Sequence, residues 1–169
     1  MRNFVFLIFS LSIVACGYRP MLANVPDTLV LVSPVKNHTS FAGVAVPLTM
    51  AVQQKLKSSG VEVAKRARAG AARLKIEITR IRNYPGVLGI SEGRVAAKDV
   101  VWEMDLLVEL VDVDGKKMFG PKHATVDGRN LTTGGLSCEQ FAGEKTRSRL
   151  VFEAANRITS IVIESLSRF

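Results

Sequence analysis

Cysteine is nearly absent from this chain: two in 169 residues, Cys16 and Cys138, with no Cys-x-x-Cys pair. That excludes the paired-cysteine motifs of zinc and redox sites. Histidine is as scarce, with only His38 and His123, and no motif surrounds either. The sequence has no Gly-x-Ser-x-Gly, no His-Glu-x-x-His and no phosphate-cradling glycine loop. Gly86-x-x-Gly89 follows a strand pattern but no helix pattern follows it. Prolines are few, and no tract is of low complexity. After the first fifteen residues no apolar run approaches the roughly 20 residues that span a bilayer. What remains is a globular composition, 47% hydrophobic and 22% charged. Glu103, Asp105 and Glu109 fall on one face of a strand pattern and read as its solvated or partner-facing side, not as an acid–base pair. The expectation is a protein of contact, not an enzyme, with no catalytic residue, metal or cofactor.

The first residues are the most informative. Met1-Arg2-Asn3 is followed by an apolar run over 4–14, then Ala15 and Cys16. This is the order of a secretory signal peptide. As a membrane span it is too short, and Gly17-Tyr18-Arg19-Pro20 stops any helix. Cysteine directly after the cut resembles the lipobox of bacterial lipoproteins. The resemblance implies that Cys16 becomes the N-terminus and carries diacylglycerol and a further fatty acyl chain. One chain anchors only marginally and several anchor firmly. The other reading is a soluble secreted protein that starts with cysteine. Residues 1–15 are then signal peptide and 16–27 a lipidated tether containing Pro20 and Pro26. Residues 28–169 form one domain, since the 154 residues left after removing 15 of 169 suffice for a real core. Cys138 is left without an intramolecular partner, as an inert small residue or a thiol that pairs elsewhere.

The formal charge is +8, one less without Arg2, and the cations are spread along the chain. A basic surface attracts anions. Export argues against nucleic acid and leaves anionic lipid or an acidic partner protein, beside the plainer reading of a merely soluble surface.

Residues 28–33 read as a buried first strand ended by Pro34. Residues 36–40 read as a polar loop with helix-capping residues. Val44, Leu48, Val52 and Leu56 then mark a helix, stopped by Ser58-Ser59-Gly60. Residues 61–63 are a short extended piece and 65–71 a basic loop. Leu74, Ile76 and Ile78 alternate with polar residues, as do Trp102, Met104, Leu106, Val108 and Leu110. Between these two strands, 83–98 reads as a long flexible connection. In it Val87, Leu88 and Ile90 either fold back on the core or insert into a partner. Asp114-Gly115 suits a hairpin turn. The return strand over 116–127 is interrupted by Gly120-Pro121, which argues for an edge or a bulge. After a loop over 127–137, a helix from about Cys138 carries the stripe Val151, Ala154, Ala155, Ile158, Ile161, Val162 and Leu166. The order β-α-β-β-β-α gives an α+β two-layer sandwich, a mostly antiparallel four-stranded sheet against two helices.

Cys16-Gly17-Tyr18-Arg19-Pro20 resembles the mature start of the LptE family, the lipopolysaccharide-assembly lipoproteins. Leu31-Val32-Ser33-Pro34-Val35-Lys36-Asn37-His38-Thr39 looks like that family's first strand and its Asn-x-Thr turn. The helix ending in Ser58-Ser59-Gly60-Val61-Glu62-Val63, the alternating strands and the closing helix are similar too. The resemblance implies an outer-membrane lipoprotein, lipid-anchored on the periplasmic face. Such a protein plugs and helps assemble an LptD-like β-barrel translocon and contacts lipopolysaccharide. It implies Arg94 and Lys98 as phosphate contacts, with Lys145 the nearest cation at the start of the last helix, although the matching position is closer to Gln140. Gly17 after the lipid-bearing cysteine fits sorting to the outer membrane. The alternative is a periplasm-facing lipoprotein that activates a cell-wall synthase, or one of the curli-secretion type. A lipid-anchored hydrolase lacks both nucleophile and base.

Overall fold

Leu74, Ile76 and Ile78 alternate with charged residues because one side of their strand is roofed and the other is wet. The structure, a computed structural model, describes residues 28–66, 70–86, 88–91, 94–97, 99–131 and 139–168. In chain order the elements are β1 (Val30–Val32), β2 (Lys36–Asn37), α1 (Ala45–Ser58), β3 (Ala72–Pro85), β4 (Leu88–Ser91), β5 (Arg94–Ala97), β6 (Asp99–Val111), β7 (Lys117–Leu131) and α2 (Glu139–Leu166). The main sheet runs β1-β3-β6-β7, and β2 also pairs with β3. β1 and β2 lie parallel to β3, whereas β3/β6 and β6/β7 are antiparallel. The expected α+β sandwich is therefore present, with one strand more than expected and a mixed sheet. The addition is β2: Lys36 and Asn37, expected in a loop, continue the parallel pairing of β1 along β3.

Both helices cover one face of the sheet. Leu48, Val52 and Leu56 of α1 meet Leu74, Ile76, Leu106 and Leu110 in the same core as Leu150, Ile158, Val162 and Leu166 of α2. All of these are fully or almost fully buried. Each such side chain contributes on the order of 2 kcal/mol through removal from water. The helices form where the apolar residues recur at helical spacing, and the whole stripe expected on α2 is buried. Pro47 sits in the first turn of α1, where its missing N–H costs nothing.

The largest departure from the sequence expectation lies over 83–98. It is not a long flexible connection. β3 and β6 stay paired out to Pro85 opposite Val100, and β4 pairs with β5 from Leu88 opposite Ala97 to Ser91 opposite Arg94. From Arg80 opposite Asp105 onward, partner numbers sum to 185 in both ladders, so the outer part of β3/β6 and the β4/β5 pair share one register, as a ribbon. Pro85 is tolerated because β1 and β2 end opposite Ile78, leaving one side of β3 open beyond it. A register shift between Ile78 and Arg80 turns the strand over, so Ile81 instead of Arg80 continues the core side.

Candidate functional site

The uncovered sheet face is a ladder of charge. Arg80 Nε donates to Asp105 Oδ2 at 2.7 Å, and Arg82 Nε to Glu103 Oε1 at 2.7 Å. Lys75 and Lys117 both reach Glu109, at 3.4 and 2.9 Å, and Lys36 and His38 both reach Glu77, at 3.2 and 3.3 Å. The three carboxylates singled out from the sequence are thus each held by a cation. A hydrogen bond from Lys36 holds the Glu77 carboxyl below its ordinary range, and one from Lys117 does the same for Glu109. For Asp105, burial pushes upward, but the Thr125 hydroxyl and Arg80 together outweigh it and the net shift is downward. Exposed ion pairs of this kind stabilise only modestly.

The far end of the sheet, where the ribbon leaves the helix layer, gathers a different set. Phe41 and Trp102 stack with ring centroids 5.2 Å apart at 51°. The Arg147 guanidinium lies over Phe41, 5.4 Å from its centroid. Trp102 is therefore only partly buried, packed at the margin of the core and not inside it. The loop holding Phe41 is tied by Asn37. Its Nδ2 donates to Phe41 O at 2.8 Å, and its Oδ1 accepts from Thr39 N at 3.0 Å and Thr39 Oγ1 at 2.8 Å. Thr39 Oγ1 in turn accepts from Phe41 N at 3.2 Å. These polar residues were expected to cap α1. They knit their own turn instead, and the α1 N-cap, Val44, has no side-chain cap. Gly43 has φ +78, and a Cβ there would stand 3.2 Å from Arg147 Nη1. Only a glycine lets the chain pass under that side chain without displacing it.

Arg94 is the first residue of β5, opposite Ser91, near the tip of the ribbon. Lys145 is exposed on α2, one turn before Arg149, whose Nη1 donates to Arg129 O at the distal part of β7. The fold brings both to the same end. Cys16, Lys98 and Cys138 lie outside the described residues. Sequence reasoning missed Phe41 and Arg147, and the nearest available signal was the Asn37-His38-Thr39 turn. No group of three or more metal-ligating side chains occurs among the described residues, and no helix among them is long and apolar enough to cross a membrane.

Asn37→Ala is expected to cost about 1–3 kcal/mol, because it strips a hydrogen-bond partner from both Thr39 N–H and Phe41 C=O. Phe41 would then slide off Trp102. Urea unfolding followed by the fluorescence of this single tryptophan reads both effects, and unchanged emission with unchanged stability would refute the tie.

No family model and no curated protein matches the chain by sequence. Solved structures do match. A minor lipoprotein from Acinetobacter baumannii superposes with a TM-score of 0.56 at 15% identity, covering 84% of this chain and 95% of that one. Rare lipoprotein B from Shewanella oneidensis gives 0.55 at 14%, covering 80% and 95%. A Xanthomonas campestris protein of the DUF330 family gives 0.61 at 11%, covering 88% and 90%. The chain shares their fold. At such identities the likeness speaks for architecture alone, and two of the three are lipoproteins by name.

Proposed function

We propose that the chain is an outer-membrane lipoprotein, anchored through lipid on Cys16 at the periplasmic face. In this reading it plugs and helps assemble an LptD-like β-barrel translocon and assists lipopolysaccharide insertion. One observation carries the reading: the fold is shared, over four-fifths or more of the chain, with solved lipoproteins that include rare lipoprotein B. The Cys16-Gly17-Tyr18 start, with its preceding apolar run, supports the same conclusion. The role is contact and not catalysis, and the charge-paired sheet face fits a protein that meets partners with rigid surfaces. Arg94, Lys98 and Lys145 are assigned to the phosphates of lipopolysaccharide, since a cation on phosphate makes a charge-assisted hydrogen bond and arginine adds bidentate geometry.

Arg94→Glu combined with Lys98→Glu is expected to weaken lipopolysaccharide binding at least about tenfold, as loss of one charge-assisted bond costs roughly 1.5–3 kcal/mol. Circular dichroism should be unchanged, and Lys145→Glu should add to the loss. Undiminished binding in the folded double variant discards the site. Co-purification with a large barrel protein in detergent supports the partner, whereas recovery of a cell-wall synthase in its place would favour the other reading.

A further inference from the structure

The end of the sheet remote from the ribbon holds cations that the ladder does not neutralise. Lys57 lies in the last turn of α1, Lys65 and Arg66 follow the extended segment beside β1, Arg73 is the second residue of β3, and Lys116 precedes β7. All five are exposed, and none is in an ion pair among the described residues. The acids at this end, Glu62, Asp112 and Asp114, are fewer.

Register places these residues together. Val30 N donates to Glu62 O and Ala64 N to Val30 O, both at 2.9 Å, while Ala72 N donates to Leu29 O at 2.8 Å. Arg73 stands opposite Val111, and Asp112 N donates to Lys116 O at 2.8 Å. A recess of about 520 Å³ opens here, lined by Leu29, Glu62, Val63, Ala64, Lys65 and Arg66. The described chain also enters at this end, at Thr28.

We infer that this basic end docks on the anionic phospholipid surface of the membrane that holds the anchor. The inference rests on lipidation of Cys16 as proposed above. Eleven residues, 17–27, lie between Cys16 and Thr28, a reach of at most roughly 40 Å, so the tether delivers this end, before any other, to the lipid surface. Attraction between cations and anionic head groups acts within a Debye length, about 8 Å at physiological salt, which the tether permits. Lipid and cations then act as two signals, the first holding the chain and the second orienting it.

The test uses the full mature lipidated protein in vesicles of phosphatidylcholine alone, or with one-third phosphatidylglycerol. Limited trypsin cleavage after Lys65 and Arg66 is followed by mass spectrometry. Cutting there should slow about tenfold on the anionic vesicles, and high salt should restore it. Lys57→Glu with Arg73→Glu keeps both cleavage sites and should abolish the protection, while Arg157→Glu, on the exposed side of α2, should not. A chain bearing acyl groups on Cys16 yet cut equally fast on both vesicles overturns the docking alone. A chain without acyl groups overturns the anchor and the docking together. Protection by lipopolysaccharide-containing vesicles but not by phosphatidylglycerol overturns the phospholipid assignment.

Discussion

Replacing Gly120 with alanine is expected to destabilise the domain by about 3 kcal/mol or more. Gly120 has φ +95, where an L side chain is strained on its own account. The new Cβ would also stand 2.5 Å from Val108 O and 2.9 Å from Glu109 Cα. Both are backbone atoms of β6, a strand paired on both sides, so neither can turn aside as a flexible side chain would. The ladder already accommodates the residue with a register shift between Val108 and Leu110, at the outermost strand pair. Gly115→Ala is the internal control. Its φ of +78 is similarly unfavourable, but nothing lies within 4 Å of its Cβ, so about 1–2 kcal/mol is expected there. The difference between the two in denaturant unfolding isolates the clash from the dihedral strain. Equal losses would mean that β7 does not approach β6 as closely at this point as the structure places it.

Gly120-Pro121 shows how sequence signals divide. Its reading as an edge or bulge needed only the missing proline N–H and the freedom of glycine, both local properties, and β7 is indeed the edge, with its register broken there. The alternating runs of β3 and β6 and the stripe of α2 were legible for a similar reason. Periodicity records which side faces the core, and the core is made of these residues. β2 was hidden because two residues carry no period. The ribbon of β4 and β5 was hidden because glycines and Pro85 imitate a loop, while the pairing that organises them depends on a partner strand and not on the residues themselves. The candidate site was less legible still. Arg94 and Lys145 share an end only because β6 returns beside β3 and α2 runs back along β7, and no spacing in the sequence states that. Nor could the sequence show which cations are free. Arg80 and Arg82 look no different from Lys65 and Arg66 until β6 brings Asp105 and Glu103 opposite the first two.

Ile158→Ala should cost about 2–5 kcal/mol, the range for deleting a buried aliphatic side chain that neighbours cannot collapse to fill. Ile158 is fully buried, in one cluster with Ile76, Leu106 and Val126. Its neighbours belong to two different layers, so filling the void requires moving a helix against a sheet whose strands are fixed by hydrogen bonds. Phe152→Ala on the same helix removes a larger side chain, but Phe152 is 52% exposed and packs beneath Lys55, whose ammonium lies 4.7 Å from the ring centroid. Loss of that contact at an exposed site is worth about 1 kcal/mol or less. Burial and not size therefore sets the order, and the smaller deletion should be the more damaging one. Thermal melts read it directly, since at this domain size each kcal/mol corresponds to roughly 3–5 °C in Tm. A larger Tm drop for Phe152→Ala than for Ile158→Ala would invert the assignment of the α2 faces. With it would go the claim that this helix, through Leu150, Ile158 and Leu166, roofs the sheet.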